Sequence, residues 1–180
     1  MLPESRNARL AALAERSSYV ENVLTHQLVS GLAGVLWKLD PGLSLQVFNS
    51  EVDDSGFDVI LGVGAQLRYV QLKQAHSEKL PPRVSVRLQF STLPGSCIVL
   101  MSHSLADLAL TGFRFYGGAD PMDPMPDIGA FSVSKAPGRR TADGTRKVRE
   151  NYRNVLVSRF SAPLSLGGLL DALFPAINAG

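Results

Sequence analysis

Residues 57–76, FDVILGVGAQLRYVQLKQAH, constrain the fold more than any other stretch of this chain. Two apolar, β-prone runs, 57–62 and 67–72, flank the link Val63-Gly64-Ala65-Gln66, which is the pattern of a hairpin with a four-residue connection. Side chains alternate faces along a strand. Asp58 and Ile60 therefore share one face of the first strand, and Tyr69, Gln71 and Lys73 share one face of the second. A turn centred between Gly64 and Ala65 sets position 58 directly opposite position 71, a register that the buried apolar face specifies. An acid, an amide and an ammonium then meet at one end of a sheet. Read blandly, Asp58 begins a strand and Lys73 leaves one for solvent; read chemically, the three make a centre.

The rest of the chain supplies elements around this hairpin. Residues 5–15 read as a short helix, and Ser17 and Ser18 offer the N-cap of a longer one from 19 to about 39. Val20, Val23, Leu24, Leu28, Leu32, Val35 and Leu36 recur there at helical spacing. Glu21 borders that stripe, where a carboxylate is either left in water near the helix start or paired with a cation. His26 points the other way, and Gly31 and Gly34 suit a close approach of helix to sheet. Asp40-Pro41-Gly42 stops the helix, and 43–49 alternates as a first strand. Glu51, Asp53 and Asp54 follow in a polar turn, Asp54 being the understudy for Asp58.

Beyond the hairpin, 77–83 is a loop and 84–90 is either an extra strand or a distorted helix start. Residues 96–102 form a near-continuous apolar run suited to a buried central strand. Residues 104–110 read as a short helix, 113–116 as a strand, and 117–126 as a long loop. From 135 to 159 there are eight cations, Lys135, Arg139, Arg140, Arg146, Lys147, Arg149, Arg153 and Arg159, against Asp143 and Glu150. That local excess of six exceeds the net +2 of the whole chain, so the positive charge is concentrated. It marks either a surface for phosphate contact or the solvated face of a helix over 145–160, with Val148, Tyr152, Val155 and Leu156 on its apolar side. A last amphipathic helix spans 165–177, with Leu166, Leu169, Leu170, Leu173 and Phe174 facing the core or a second copy.

Composition excludes several classes. At 180 residues the chain is read as one domain, with a core at about 17–116 and a basic, helical extension at about 135–180. The lone Cys97 lies in an apolar run, which excludes an internal disulfide framework, suits a reducing cytoplasm and reads as a packed thiol. No apolar run is long enough for a membrane span, and the charged first 18 residues lack the core of a secretion signal. His76 and His103 are isolated in sequence and offer no zinc set. The glycines at 62 and 64 lack the helix and third glycine of a nucleotide-binding loop.

The pattern Asp58-(x12)-Gln71-x-Lys73 on a hairpin resembles the PD-(D/E)xK nuclease superfamily. In that superfamily an Asp on one strand and (Asp/Glu)-x-Lys on the next hold a divalent metal and position a water. Gln71 stands where an acid is usual, and this Gln-x-Lys form looks like the variant of the Mrr-type, restriction-endonuclease-like branches. The resemblance covers about residues 15–115, where helix and strands come in the same order. It implies an α/β fold with a central mixed sheet flanked by helices, and hydrolysis of DNA with Mg²⁺ or Mn²⁺. By the same resemblance Asp58 is the bridging ligand, with Glu21, the Gln71 side-chain oxygen and the Leu72 carbonyl as further ligands. Lys73 orients the water. Beside such a centre, Arg139, Arg140, Arg146, Lys147, Arg149 and Arg153 become the DNA-contacting set. Two alternatives belong to other classes. One is a catalytically silent module of the same fold that binds DNA or a protein. The other is a small interaction protein that dimerises through its last helix.

Overall fold

The computed structural model describes residues 5–49, 56–136 and 146–178. Its longest helix shows why the chain folds as it does. In α2 (Ser17–Leu39), Val20, Leu24, Leu28, Leu32 and Leu36 recur every four residues and are all buried, forming one apolar stripe. A shorter α1 (Arg6–Glu15) precedes it, capped by the Ser5 hydroxyl, which accepts from the Ala8 N–H. The expected serine cap of α2 is not formed. The two helices are separated only at Arg16, whose N–H still bonds the Ala12 carbonyl, so Ser17 and Ser18 lie within the first turn of α2.

The α2 stripe packs on a five-stranded mixed sheet of order β1-β2-β3-β5-β6. Its strands are β1 (Gln46–Asn49), β2 (Val59–Val63), β3 (Gln66–His76), β5 (Ser96–His103) and β6 (Leu110–Gly117). All neighbours are antiparallel except β3 and β5, which run parallel. Val59, Leu61, Val63, Val70, Cys97, Val99 and Met101 face α2 and the last helix, α3 (Leu166–Leu173). The opposite face presents Ile98, Leu100 and Tyr116 to a second, three-stranded sheet of order β4-β8-β7. That sheet is built from β4 (Arg83–Arg87), β7 (Val133–Lys135) and β8 (Val148–Leu156). The fold is thus mixed α/β around a central mixed sheet. Helices cover one face, and a small antiparallel sheet takes the place of helices on the other.

Two expectations are corrected here, and two alternatives left open by the sequence are decided. The helix expected over 145–160 is strand β8, held between β4 and β7. Val148, Tyr152, Val155 and Leu156 do fit a helical period, but Val, Asn and Tyr are poor helix formers and two strand neighbours decide the outcome. The helix expected over 104–110 is a turn linking β5 to β6, closed by the Ser104 N–H on the Ala109 carbonyl and by the Asp107 carboxylate on the Ala109 N–H. The segment 84–90 divides into β4 and a 3₁₀ turn at Gln89–Thr92, so each alternative describes half of it. The last helix directs Leu169, Leu170 and Leu173 into the main core, so its apolar side is not left for a second copy. Gly31 does mediate a close approach, but to α3: a Cβ there would meet the Leu166 side chain at 2.7 Å, while Gly34 has nothing within 4 Å.

Two internal fastenings were not foreseen. Arg68 is fully buried on the apolar face of β3. Its Nε donates to the Leu173 carbonyl at 2.9 Å, and its terminal nitrogens donate to Gly118, Asp120 and Ala172 carbonyls. The second is Gly95, which has φ +74 at the entry to β5. A Cβ there would lie 2.8 Å from the Pro121 carbonyl oxygen and 3.0 Å from that of Leu67. Gly95→Ala should therefore cost about 2–3 kcal/mol and lower the thermal midpoint by about 5–10 °C. Circular dichroism melting checks this; a midpoint within about 2 °C of wild type would show that the backbone has room to yield.

Candidate active site

The hairpin sets the geometry. β2 and β3 are joined by a two-residue turn tighter than the four-residue link expected, yet the register is the anticipated one. Val59 pairs with Val70 and Ile60 with Tyr69, so position 58 falls opposite 71. The Asp58 N–H donates to the Val70 carbonyl at 2.9 Å and extends this pairing by one bond. Next along the same edge of β3 comes the Leu72 N–H, and the Asp58 side chain takes it: Oδ2 accepts at 2.6 Å. A charge-assisted bond of this kind is short and strong. In a strand the N–H and C=O of one residue point the same way, so the Leu72 carbonyl lies on the edge that Asp58 guards.

Gln71 and Lys73 project from β3 on the face turned towards the second sheet. Gln71 is buried, and its Oε1 has no hydrogen-bond partner. An orphaned buried acceptor costs about 1–3 kcal/mol, and a neutral oxygen with an open lone pair is a donor suited to a hard cation. Lys73 is half-buried between strands, opposite Leu100 of β5. Burial holds its pKa below the ordinary lysine value; the Asp58 and Glu21 carboxylates act to keep the proton on, and the Arg149 charge opposes them. That coupling places Glu21 within electrostatic reach of Lys73. Glu21 itself is solvent-exposed in α2, and its carbonyl accepts from the Thr25 hydroxyl. Asp58, Gln71 and Lys73 are thus gathered at one end of the β2–β3 pair, and the Glu21 charge acts on Lys73 from α2.

The basic residues divide. Arg146 and Lys147 are exposed just before β8, and Arg149 lies on β8 near Lys73. Arg153 is occupied internally: Nε donates to the Gly129 carbonyl at 3.2 Å and Nη1 to the Glu150 carbonyl at 2.7 Å. That makes it an anchor of the second sheet rather than an open phosphate contact. Arg139 and Arg140 lie outside the described residues, as do Glu51, Asp53 and Asp54. Sequence reasoning placed Arg149 on a helix and so missed its position beside Lys73. Val148, Tyr152 and Val155, residues favoured in strands, were the available signal.

The surroundings refine other expectations. His76 and His103 are not isolated in space, because the parallel register of β3 and β5 pairs them, and Nδ1 of His76 is buried without a partner. Cys97 is fully buried, its thiol pushed up to about 12 by burial despite the nearby Arg68 charge, as expected of an inert packed residue. Among the described residues no group of three or more His, Cys, Asp or Glu side chains is arranged to hold a metal ion. Among the described residues, a cation here would depend on two acids and neutral oxygens. No helix among the described residues is long and apolar enough to cross a membrane. No protein-family model, no curated protein and no solved structure matches this chain.

Proposed function

We propose that this chain is a metal-dependent nuclease that hydrolyses DNA phosphodiester bonds through a PD-(D/E)xK-type centre in its Gln-x-Lys form. The observation that carries the reading is the meeting of Asp58 with Gln71, Leu72 and Lys73 at the parting of β2 and β3. Asp58, Glu21, Gln71 Oε1 and the Leu72 carbonyl form an all-oxygen donor set that fits Mg²⁺ or Mn²⁺ and not a thiolate-preferring metal. Such an ion, when bound, neutralises charge at the departing oxygen and acidifies a water. The chain's own contribution is orientation and proton transfer. Asp58 is fixed by the Leu72 N–H, so its carboxylate does not rotate freely. Lys73, with its pKa lowered by burial, has a larger neutral fraction able to take a proton from the attacking water. Arg146, Lys147 and Arg149 supply positive charge along the approach, with Arg139 and Arg140 assigned to the same surface from sequence alone. The buried single thiol suits work inside the cytoplasm.

One observation favours a second reading. Gln71 replaces an acid, and no third Asp, Glu, His or Cys joins Glu21 and Asp58 among the described residues. A catalytically silent module that binds DNA through its cations would look the same. The experiment is calorimetric titration of Mn²⁺, with nicking of supercoiled plasmid followed on the same samples before and after EDTA. The nuclease reading expects saturable heat, and nicking that EDTA abolishes and Mn²⁺ restores. Salt-sensitive DNA binding without heat or nicking would instead establish the silent module.

A further inference from the structure

We infer that Arg149, laid on the ring of Tyr152, is the group that grips the scissile phosphate. The inference rests on the nuclease reading and names the anion-binding residue of that same site. Contacts link the second sheet to the Asp58 end of the hairpin. The register of β4 and β8 sets Arg87 opposite Tyr152, and the Leu88 N–H continues that pairing to the Asn151 carbonyl at 2.8 Å. Arg87 and Phe90 in turn close over Gly56, where a Cβ would meet Phe90 Cβ at 3.0 Å and Arg87 Cβ at 3.4 Å. Gly56 is two residues from Asp58. The start of β8 is thereby carried to the edge of the site.

Arg149 is held there by stacking: its guanidinium carbon lies 3.3 Å from the centroid of the Tyr152 ring. A guanidinium over an aromatic face keeps its peripheral N–H donors for a ligand, and its planar fork matches two phosphate oxygens. Among the described residues Arg149 makes no hydrogen bond or ion pair; the ion pair found there joins Arg6 to Glu78, at 2.8 Å. A positively charged fork held at this edge complements a phosphodiester as negative charge builds in the transition state.

The test uses the full chain, with a fluorescently labelled DNA duplex as the binding probe and plasmid nicking as the rate. Arg149→Gln should lower the Mn²⁺-supported nicking rate by about 10²–10³-fold. It should also reduce the slope of log affinity against log salt by about one. The heat of Mn²⁺ binding and the melting curve should stay those of wild type. Arg149→Lys should restore the salt slope but not the rate, because an ammonium lacks the fork. Tyr152→Leu, which removes the platform and keeps the cation, should slow nicking by about tenfold. Wild-type nicking and an unchanged slope in Arg149→Gln, with Mn²⁺ heat intact, would overturn the inference and leave the nuclease reading standing. A wild type that takes up no Mn²⁺, with the slope still lost in Arg149→Gln, would overturn the metal centre and keep the phosphate contact.

Discussion

Asp58→Asn should reduce plasmid nicking by about 10³-fold, equivalent to about 4 kcal/mol of barrier, and abolish the heat of Mn²⁺ binding. The substitution separates two tasks that one side chain performs. Structurally, Asp58 Oδ2 accepts from the Leu72 N–H at 2.6 Å and closes the edge of β3 where β2 has turned away. An asparagine oxygen accepts the same bond, so the fold should keep its wild-type melting temperature. Chemically, the carboxylate is one of only two acids proposed to face the cation, and asparagine carries no charge to offer it. Asp58→Ala removes both functions, and its midpoint should fall by about 2–4 °C, the scale of a lost hydrogen bond. Nicking at the wild-type rate by Asp58→Asn would show that the chemistry lies elsewhere. If both variants bind Mn²⁺ normally and only Asp58→Ala melts early, Asp58 is a strand-end cap and nothing more.

What could be read from the sequence was what local rules determine. The register of the central hairpin follows from strand alternation and the position of Gly64-Ala65, and it survives even though the turn is shorter than the link suggested. The i+4 stripe from Val20 to Leu36 gave α2 for the same reason. Glu21 could be placed beside that stripe but not near Lys73, because that meeting depends on how α2 lies over the sheet. Non-local pairing defeated the reading further on. Residues 148–156 satisfy a helical period and become a strand because β4 and β7 flank them, contacts formed by residues up to about 70 positions away in sequence. The consequence reaches the proposed site, since the strand brings the Arg149 charge to bear on Lys73 and turns Arg153 inward to Gly129.

Arg68 is where a signal was present and went unused. Alternation along β3 puts it on the face shared by Val70 and Leu72, so a cation was due to enter the core. It is tolerated because the guanidinium meets backbone oxygens: Leu173 and Ala172 at the C-terminal end of α3, and Gly118 and Asp120 in the loop after β6. Helix-terminal carbonyls lack partners within the helix and carry the negative end of its dipole, so a cation there is doubly favourable. The Phe115 ring lies 5.6 Å from the guanidinium carbon and Asp120 and Asp123 add favourable charge, although burial still holds the pKa below the ordinary arginine value. Arg68→Leu fills part of the space but leaves those carbonyls buried without donors. The expected loss is about 3–5 kcal/mol, and about 10 °C in midpoint. Arg68→Lys, with a point charge in place of a fork, should lose roughly half as much. Chemical denaturation of the three proteins distinguishes the accounts. Equal stability of wild type and Arg68→Leu would mean that α3 and the loop after β6 dock by apolar packing alone. A graded loss from arginine to lysine to leucine would identify Arg68 as the clasp that fastens α3 to the central sheet.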